Sequence, residues 1–277
     1  MKYDDMIYRP PSEAYTLLLQ VTSGCSHNKC TYCNMYKDVQ FKTESLEQIE
    51  KDLIEAKKFH KDTKKIYLLN GDPFSLSADK LKPIAKLIQK HLPHCKTISM
   101  YSSVKSIENK TMEELKELRA LGINDLYIGV ETGNDKALSH INKGNTSKEA
   151  MEQLQRLNQA NIDFISIIMY GLAGEGKGVK NALDTAKLLN SVRSKAIALM
   201  NLTLIPGTDL YEEAMRGDFI QASEQEKLIE VKTLIENLDL KDDTLFSSIH
   251  ISNIESLNGI LPRDKETFID RLNKVIV

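Results

Sequence analysis

Short apolar runs alternate with longer amphipathic segments along most of the chain. Continuous runs such as Lys65–Leu69 (KIYLL) and Phe164–Tyr170 (FISIIMY) are typical of strands that are buried on both faces. The pattern predicts strands at 16–21, 65–69, 97–103, 125–130, 164–170 and 196–205. Between them it predicts helices at 43–61, 77–90, 111–121, 147–160 and 178–190. In the first helix, Leu46, Ile49, Leu53 and Ala56 share one face, and Thr43 or Ser45 is available as the N-cap.

This alternation predicts the fold class. Strands that are separated each time by a helix-length segment need crossover connections, which indicates an α/β fold with a parallel sheet. Six such units suit a partial (β/α)6 barrel of the TIM type. An open doubly wound sheet is the alternative, because periodicity does not distinguish a curled sheet from a flat one.

The remainder of the chain follows a different pattern. It contains a predicted helix at 223–236, a strand-like stretch at 245–252 and a final helix that begins at Asp264. In the strand-like stretch, Phe246, Ser248, His250 and Ser252 would share one face. We therefore expect residues 1–205 to form the barrel and residues 206–277 to form an α+β extension packed on it, in the same structural unit.

Composition narrows the class of protein. The 277 residues are 41% apolar and carry a formal net charge of -2, which disfavours a protein whose main partner is nucleic acid. No apolar stretch approaches the roughly 20 residues that a membrane span requires, and the first residues do not resemble a signal peptide. The sequence therefore predicts a cytoplasmic protein without a membrane partner.

Three of the four cysteines follow the first predicted strand at short spacing. Cys25, Cys30 and Cys33 lie too close together to connect distant loops as disulfides, so metal or cluster binding is expected. A structural zinc site would need a fourth protein ligand, either His27 or Cys95. In the second case His91 or His94 is a further candidate ligand. Three cysteines suffice for a 4Fe-4S cluster with one open iron.

The stretch GCSHNKCTYC resembles the cluster loop of the radical S-adenosylmethionine (SAM) superfamily. The usual spacing in that family is C-x3-C-x2-C, whereas this chain has C-x4-C-x2-C. The resemblance implies a 4Fe-4S cluster held by Cys25, Cys30 and Cys33, with SAM as the second cofactor. Tyr32 matches the position whose backbone meets the SAM adenine.

Three further segments match this family in order and placement. Asn70, Gly71 and Asp72 stand where the family has a Gly-Gly-Glu-like turn that receives the SAM amino group. Residues 129–144 resemble the MiaB-like methylthiotransferases and the elongator catalytic subunit, and Glu131 is similar to residues that contact the SAM ribose or methionine part. Gly171, in the segment 167–176, resembles the glycine that walls the adenine.

The resemblance implies an enzyme that cleaves SAM and uses the 5′-deoxyadenosyl radical on an unidentified small or medium-sized substrate. It also implies an electron donor such as flavodoxin or ferredoxin. Tyr36, three residues after Cys33, and His250 are the candidate catalytic residues. For His250 the reason is that an imidazole that titrates near neutrality can move a proton. The alternatives are an RNA-modifying radical SAM enzyme and a non-enzymatic protein with a closed zinc site.

Overall fold

A computed structural model describes Tyr3 and residues 6–276. The strands are β1 (Leu17–Gln20), β2 (Thr22–Ser23), β3 (Lys42–Thr43), β4 (Lys65–Leu69), β5 (Thr97–Ser102), β6 (Ile123–Glu131), β7 (Phe164–Tyr170), β8 (Ala196–Asn201), β9 (Thr244–Ser247) and β10 (Asn258–Leu261). The helices are α1 (Leu46–His60), α2 (Ala78–His91), α3 (Val104–Glu108), α4 (Met112–Ala120), α5 (Asp135–His140), α6 (Ser147–Gln159), α7 (Gly178–Leu189), α8 (Asp209–Arg216), α9 (Glu224–Asn237) and α10 (Lys265–Val275). Two short 3-10 helices lie at Pro11–Glu13 and Pro73–Ser75.

Eight strands form a sheet in the order β1-β4-β5-β6-β7-β8-β9-β10, and β2 pairs with β3 in a separate two-stranded ribbon. Neighbouring strands pair in parallel from β1 to β6 and from β7 to β9, while β10 runs antiparallel to β9. The predicted α/β class, with the mostly parallel sheet of a partial TIM-type barrel, is confirmed. The predicted strands Lys65–Leu69 and Phe164–Tyr170 have the observed bounds.

The chain divides into two compact units. The first contains the described residues up to Asn28, together with Met35–Ile128 and Arg156–Phe164. The second contains Lys29–Asn34, Gly129–Gln155 and the described residues from Ile165 onward. The predicted grouping into residues 1–205 and 206–277 stays a prediction.

Apolar strands and helix faces build the core of each unit. In the first unit, β4 buries Ile66 and Leu68 completely or almost completely, and α1 covers the core with Ile49 and Leu53. In the second unit, the fully enclosed residues Phe246 and Leu272 lie on β9 and α10. Burial of such side chains contributes about 1.5–3 kcal/mol each to folding.

Helix α1 begins later than predicted. The hydroxyl of Ser45 accepts a hydrogen bond from the backbone N–H of Gln48, so Ser45 is the N-cap. Thr43, the other candidate, is paired with Thr22 in the β2-β3 ribbon and is not available to start the helix. Leu46, expected on the buried face, is exposed, whereas Ile49, Leu53 and Ala56 are buried as predicted.

Three short helices were not predicted from the sequence. Helices α3 and α5 have five and six residues, which is too short for the hydrophobic period to repeat, and α8 has eight, which is little more than two turns. Each begins after a residue whose side chain accepts a backbone hydrogen bond from the third residue beyond it: Ser103, Asn134 and Thr208. Capping residues were therefore the only local signal of these helices.

The predicted strand 245–252 is wrong beyond Ser247. The Ser248 hydroxyl donates to the backbone carbonyl of Glu255 and accepts from the N–H of Leu257, so the chain turns back and enters β10. His250 Nδ1 accepts from the N–H of Ser252, which closes a local turn. Side-chain hydrogen bonds to the nearby backbone compete with a strand ladder in this way, and the predicted common face of Ser248, His250 and Ser252 does not exist.

Candidate functional site

The cysteine loop, residues 24–37, starts directly after β2 and is held by backbone contacts. In the first unit, the N–H of Gly71 donates to the carbonyl of Gly24, at 3.1 Å between N and O. The Asn28 side-chain amide donates to the carbonyl of Tyr36, at 2.6 Å. Gly24 has a φ of +69°, and a Cβ there would lie 2.9 Å from the carbonyl oxygen of Val39. Glycine is required at this turn on both grounds.

Gly71 gives the first part of this loop room to pack. A Cβ on Gly71 would lie 2.7 Å from Cε2 of Tyr36 and 2.9 Å from Cβ of Cys25. Tyr36 is 3% exposed, and its ring makes an edge-to-face contact with Tyr8 at 5.3 Å between centroids. The structure therefore places Tyr36 in the packing beside Gly71 and Cys25, and its catalytic role stays a prediction.

Asp72 is a buried hydrogen-bond acceptor for three serines. Its Oδ2 atom accepts from the hydroxyl of Ser26, at 2.8 Å, and from that of Ser106, at 2.6 Å. Its Oδ1 atom accepts from the backbone N–H of Ser103, at 3.3 Å. Asp72 is 1% exposed, so this carboxylate ties the residue next to Cys25 to the start of α3.

Lys110 is a second buried charge in this region. Its ammonium donates to the carbonyls of Phe74 and Ser106, and it lies 4.2 Å from the centroid of the Phe74 ring. Burial lowers the pKa of Lys110 to about 8, and the charge of Asp72 opposes that shift. The sequence did not indicate Lys110, since it lies between two helices without a recognisable motif.

Asn70 is completely buried at the end of β4. Its N–H donates to Oγ1 of Thr22, and its Nδ2 donates to the carbonyl of Thr22. Among the described residues, no group donates a hydrogen bond to Asn70 Oδ1. A buried acceptor without a donor is uncommon, and it lies where the resemblance expects the SAM amino group.

The second part of the cysteine loop, Lys29–Asn34, belongs to the second unit. Thr31 donates its N–H to the carbonyl of Ile141 and accepts from the N–H of Leu210, at 3.0 and 2.9 Å. The N–H of Cys33 donates to the carbonyl of Cys30, which forms a tight turn. Tyr32 packs against a buried apolar cluster of Ile141, Met169, Leu172, Leu202, Leu210 and Phe219.

Tyr32 and Glu131 are electrostatically coupled at the end of β6. Burial raises the pKa of the Tyr32 phenol well above its ordinary value, and the charge of Glu131, which is hydrogen bonded to it, raises it further. Glu131 has a φ of +65° and forms a 2.6 Å ion pair with Lys143, with side chains only 5% and 11% exposed. Gly129 leaves the space for this pair, because a Cβ there would lie 2.5 Å from Glu131 Oε1.

Gly171 lies beside a buried polar network that the sequence did not reveal. Its N–H donates to Oε2 of Glu230, and the Asn181 side chain donates to Oε1 of the same carboxylate. Thr132, next to Glu131, donates in turn to Oδ1 of Asn181. Burial raises the pKa of Glu230 to about 7, while its hydrogen bonds and Lys227 oppose the shift. One feature of the sequence could have indicated that Glu230 is buried: it lies on the apolar face of α9 with Val231 and Leu234.

His250 lies in the turn after β9 and not on a strand. Its Nδ1 atom is 2.8 Å from the Ser252 hydroxyl, and burial lowers the pKa of the imidazole. These contacts are those of a histidine that holds a turn. A role in catalysis stays a prediction.

The thiols differ in accessibility. Cys25, Cys30 and Cys33 form no disulfide and are half-buried, whereas Cys95 is buried and donates to the carbonyl of Thr97. His91 pairs with Glu50, and His94 lies 3.9 Å from Asp62, so neither histidine is directed to Cys95 in a zinc site. Three accessible thiols in one loop are a donor set that fits an iron-sulfur cluster. In the described part of the chain, no three His, Cys, Asp or Glu side chains are already arranged around a metal position.

Residues 19–189, more than half of the chain, match the model of the radical SAM superfamily. The chain belongs to this superfamily. Heme chaperone HemW of Bacillus subtilis is 28% identical over 200 residues, which cover 70% of this chain and 52% of HemW. The chain thus spans about half the length of that relative. An uncharacterized protein of Methanocaldococcus jannaschii is 25% identical over 273 residues, covering 91% of this chain and 80% of that protein.

The fold is also found in solved structures of this superfamily. The radical SAM methyltransferase TsrM from Kitasatospora setae, solved with cobalamin and a 4Fe-4S cluster bound, has a TM-score of 0.59 at 15% identity. The alignment covers 73% of this chain and 39% of TsrM, and the similarity is one of fold. None of the described helices is both long enough and apolar enough to span a bilayer.

Proposed function

We propose that this protein is a radical SAM enzyme whose Cys25, Cys30 and Cys33 hold a 4Fe-4S cluster. The observation that carries the proposal is the set of three half-buried cysteines in one loop, none of them in a disulfide, within a chain that belongs to the superfamily. When bound, the cluster supplies the electron that splits SAM into methionine and a 5′-deoxyadenosyl radical. The substrate is a small or medium-sized molecule, and the compartment is the cytoplasm.

The chain's own residues position the cofactors. Asp72 accepts a hydrogen bond from Ser26 and so holds the backbone next to Cys25 in place. Asn70 Oδ1 is an acceptor for the ammonium group of SAM, because it lacks a donor among the described residues. Glu131 and the backbone of Tyr32 are the proposed contacts to the rest of SAM, and the 2.6 Å ion pair with Lys143 fixes the position of the Glu131 carboxylate.

Gly171 contributes through its backbone. Glu230 accepts the N–H of Gly171 and fixes the turn after β7. The resemblance assigns this turn to the wall of the adenine pocket. A glycine also leaves room for the stem of Lys227, since a Cβ at Gly171 would lie 2.9 Å from Lys227 Cε.

A lysine-lined groove in the second unit suits an acidic electron donor such as flavodoxin or ferredoxin. The groove has a volume of about 930 Å³ and is lined by the exposed residues Lys136, Lys148, Lys177, Lys180 and Lys187. It includes His140, whose carbonyl accepts from the Thr31 hydroxyl in the cysteine loop. Charge complementarity next to this loop favours electron delivery at that place.

The donor proposal is tested by charge reversal in the groove. Reversal of Lys177 and Lys187 to Glu is expected to slow reduction of the cluster by flavodoxin and to leave reduction by dithionite unchanged. Reversal of the exposed Lys274, outside the groove, is the control. Retention of tRNA at low salt, lost in the same groove variant, would instead support the RNA-modifying alternative.

A heme-binding function is the second candidate, because the relative HemW is named a heme chaperone. Titration with hemin separates the two candidates. A stoichiometric Soret shift together with a lack of SAM cleavage would favour the heme function. SAM cleavage without hemin binding would favour the enzyme.

The metal content of the protein tests whether Cys25, Cys30 and Cys33 hold a 4Fe-4S cluster. Anaerobic reconstitution is expected to give about four irons and four sulfides per chain. Replacement of Cys25, Cys30 or Cys33 by Ala should abolish incorporation, and Cys95→Ala should retain it. Zinc in place of iron, lost on Cys95→Ala, would support the closed zinc site and overturn the proposal.

A further inference from the structure

Lys227 is a buried lysine whose ammonium has no partner in the part of the chain that the structure describes. It lies on α9 and is 4% exposed. Among the described residues, no acceptor forms a hydrogen bond with its ammonium and no carboxylate forms an ion pair with it. Lys232, further along α9, is by contrast 29% exposed and lies 3.7 Å from Glu236.

The stem of Lys227 reaches a cavity at the end of β8. This cavity has a volume of about 530 Å³ and is lined by residues 201–204, residues 221–224 and Lys227. The Lys227 ammonium has no hydrogen-bond partner but is not completely enclosed by protein atoms, so part of it reaches solvent. Because the side chain lines the cavity, we place that part there.

Two carboxylates lie near Lys227, and neither neutralises it by contact. Glu224 lines the same cavity and is exposed. Glu230 lies one turn further along α9, but its two oxygens accept from Gly171 and Asn181. Burial lowers the pKa of Lys227, and these two negative charges oppose that shift.

An ammonium that is mostly withdrawn from water and lacks a partner costs stability even where it keeps an opening to solvent, whereas an apolar side chain of similar length at the same position would not. Binding sites commonly retain residues that lower the stability of the fold, such as a charged side chain whose partner is the ligand. An oxyanion in the cavity would supply the missing partner for Lys227.

We propose that this cavity binds a carboxylate or phosphate group of a small molecule, with the Lys227 ammonium as its cationic contact. The assignment of that group to the enzyme's substrate rests on the proposed function. The binding of the anion does not, since it follows from the cavity and from Lys227. The site thus narrows the substrate class to anionic metabolites.

Amine reactivity tests this site on the reconstituted protein. Acetylation of Lys227 and Lys232 by a small reagent is followed by mass spectrometry with inorganic phosphate, with succinate, with SAM, or with none of these. Acetylation requires the uncharged amine, and a bound anion stabilises the ammonium form through a charge-assisted hydrogen bond. Phosphate or succinate is therefore expected to slow acetylation of Lys227 by about tenfold. The rate at Lys232 should not change. Equal rates at Lys227 with and without both anions, or protection by SAM alone, would overturn the proposal.

Thermal unfolding provides the second measurement. Lys227→Met keeps the apolar stem below Gly171 and is expected to unfold at the same or a higher temperature than the wild type. It should lose the increase in Tm that phosphate or succinate gives, and the control Lys232→Met should retain that increase. An unchanged anion effect in Lys227→Met would refute the site.

These measurements need no SAM cleavage, so the two proposals fail separately. Protection of Lys227 by an anion in a protein that does not cleave SAM would keep the anion site and remove the enzyme. SAM cleavage in a protein whose Lys227 is not protected by an anion would keep the enzyme and remove the anion site.

Discussion

The hydroxyl of Ser26 donates a hydrogen bond to the carboxylate of Asp72, with 2.8 Å between Oγ and Oδ2. Ser26 follows Cys25 directly in the chain, and Asp72 lies in the turn after β4. The contact therefore links the proposed cluster loop to the turn that is proposed to receive SAM. The position of Cys25 therefore depends on a residue outside the cysteine loop, Asp72.

Asp72→Asn should destabilise the fold. One of the three donors, the hydroxyls of Ser26 and Ser106 or the N–H of Ser103, would face an amide NH2 group instead of an acceptor. We expect the free energy of unfolding in urea to fall by about 1–3 kcal/mol. Ser139→Ala, at an exposed serine, is the control and should change it by less than about 0.5 kcal/mol. Equal stability of Asp72→Asn and the wild type would contradict this role of Asp72.

Gly71→Ala should disturb the cysteine loop through steric overlap with Tyr36 and Cys25. Overpacking of this kind costs about 1–3 kcal/mol, and iron incorporation should fall because Cys25 must move. Gly217→Ala is the matched control, since it has a φ of +81° and no atom within 4 Å of a new Cβ. It should cost about 1 kcal/mol and leave iron content unchanged. Normal iron content in Gly71→Ala would show that the contact is not needed.

Glu131→Gln should be strongly destabilising, because it removes the carboxylate that pairs with the buried Lys143 ammonium at 2.6 Å. The expected loss of unfolding free energy is about 3 kcal/mol. The exposed pair Lys105 and Glu108, with side chains 43% and 45% exposed, supplies the control. Glu108→Gln should cost less than about 1 kcal/mol. Adding Lys143→Met to Glu131→Gln should restore part of the loss, and failure to do so would exclude the ion pair as its cause.

Glu230 should make stability depend on pH in a defined window. Its pKa rises from an ordinary value of 4.5 to about 7 on folding, so the folded protein binds the proton more tightly than the unfolded chain. The resulting stabilisation is fully present below pH 4.5 and is lost as the pH rises through about 7. Its size is on the order of 3 kcal/mol.

Urea unfolding between pH 4.5 and 8 measures this effect. The stability of the wild type relative to Glu230→Gln should fall with rising pH, because glutamine at position 230 does not titrate and the other titrating groups are the same in both proteins. Parallel curves for the two proteins would rule out Glu230 as the titrating group.

The strands were predictable because a buried strand of a parallel sheet is visible in the sequence as a short continuous run of apolar residues. Lys65–Leu69 and Phe164–Tyr170 are continuous apolar runs, and a parallel sheet buries both of their faces. The turn at Ser248 was not predictable, because its apolar and polar residues alternate as a strand does while the serine hydroxyl forms local hydrogen bonds. Short helices such as α3 left only a capping serine as a signal.

The site was predictable only where chemistry is concentrated in sequence. The short spacing of Cys25, Cys30 and Cys33 predicts a metal or cluster site, and their role as cluster ligands stays a proposal. Glu131 and its partner Lys143 are separated by 12 positions, and the bond from Asn181 to Glu230 spans 49 positions. Such contacts depend on tertiary packing, so no local pattern indicates them.

The most direct test of the central claim is the fate of SAM. The reconstituted protein, reduced anaerobically with dithionite, is incubated with SAM, and the products are measured by chromatography and mass spectrometry. We predict release of 5′-deoxyadenosine and methionine by the wild type and by Cys95→Ala, and none by Cys30→Ala. Full recovery of intact SAM from a wild-type protein that carries a complete and reduced cluster would contradict the account.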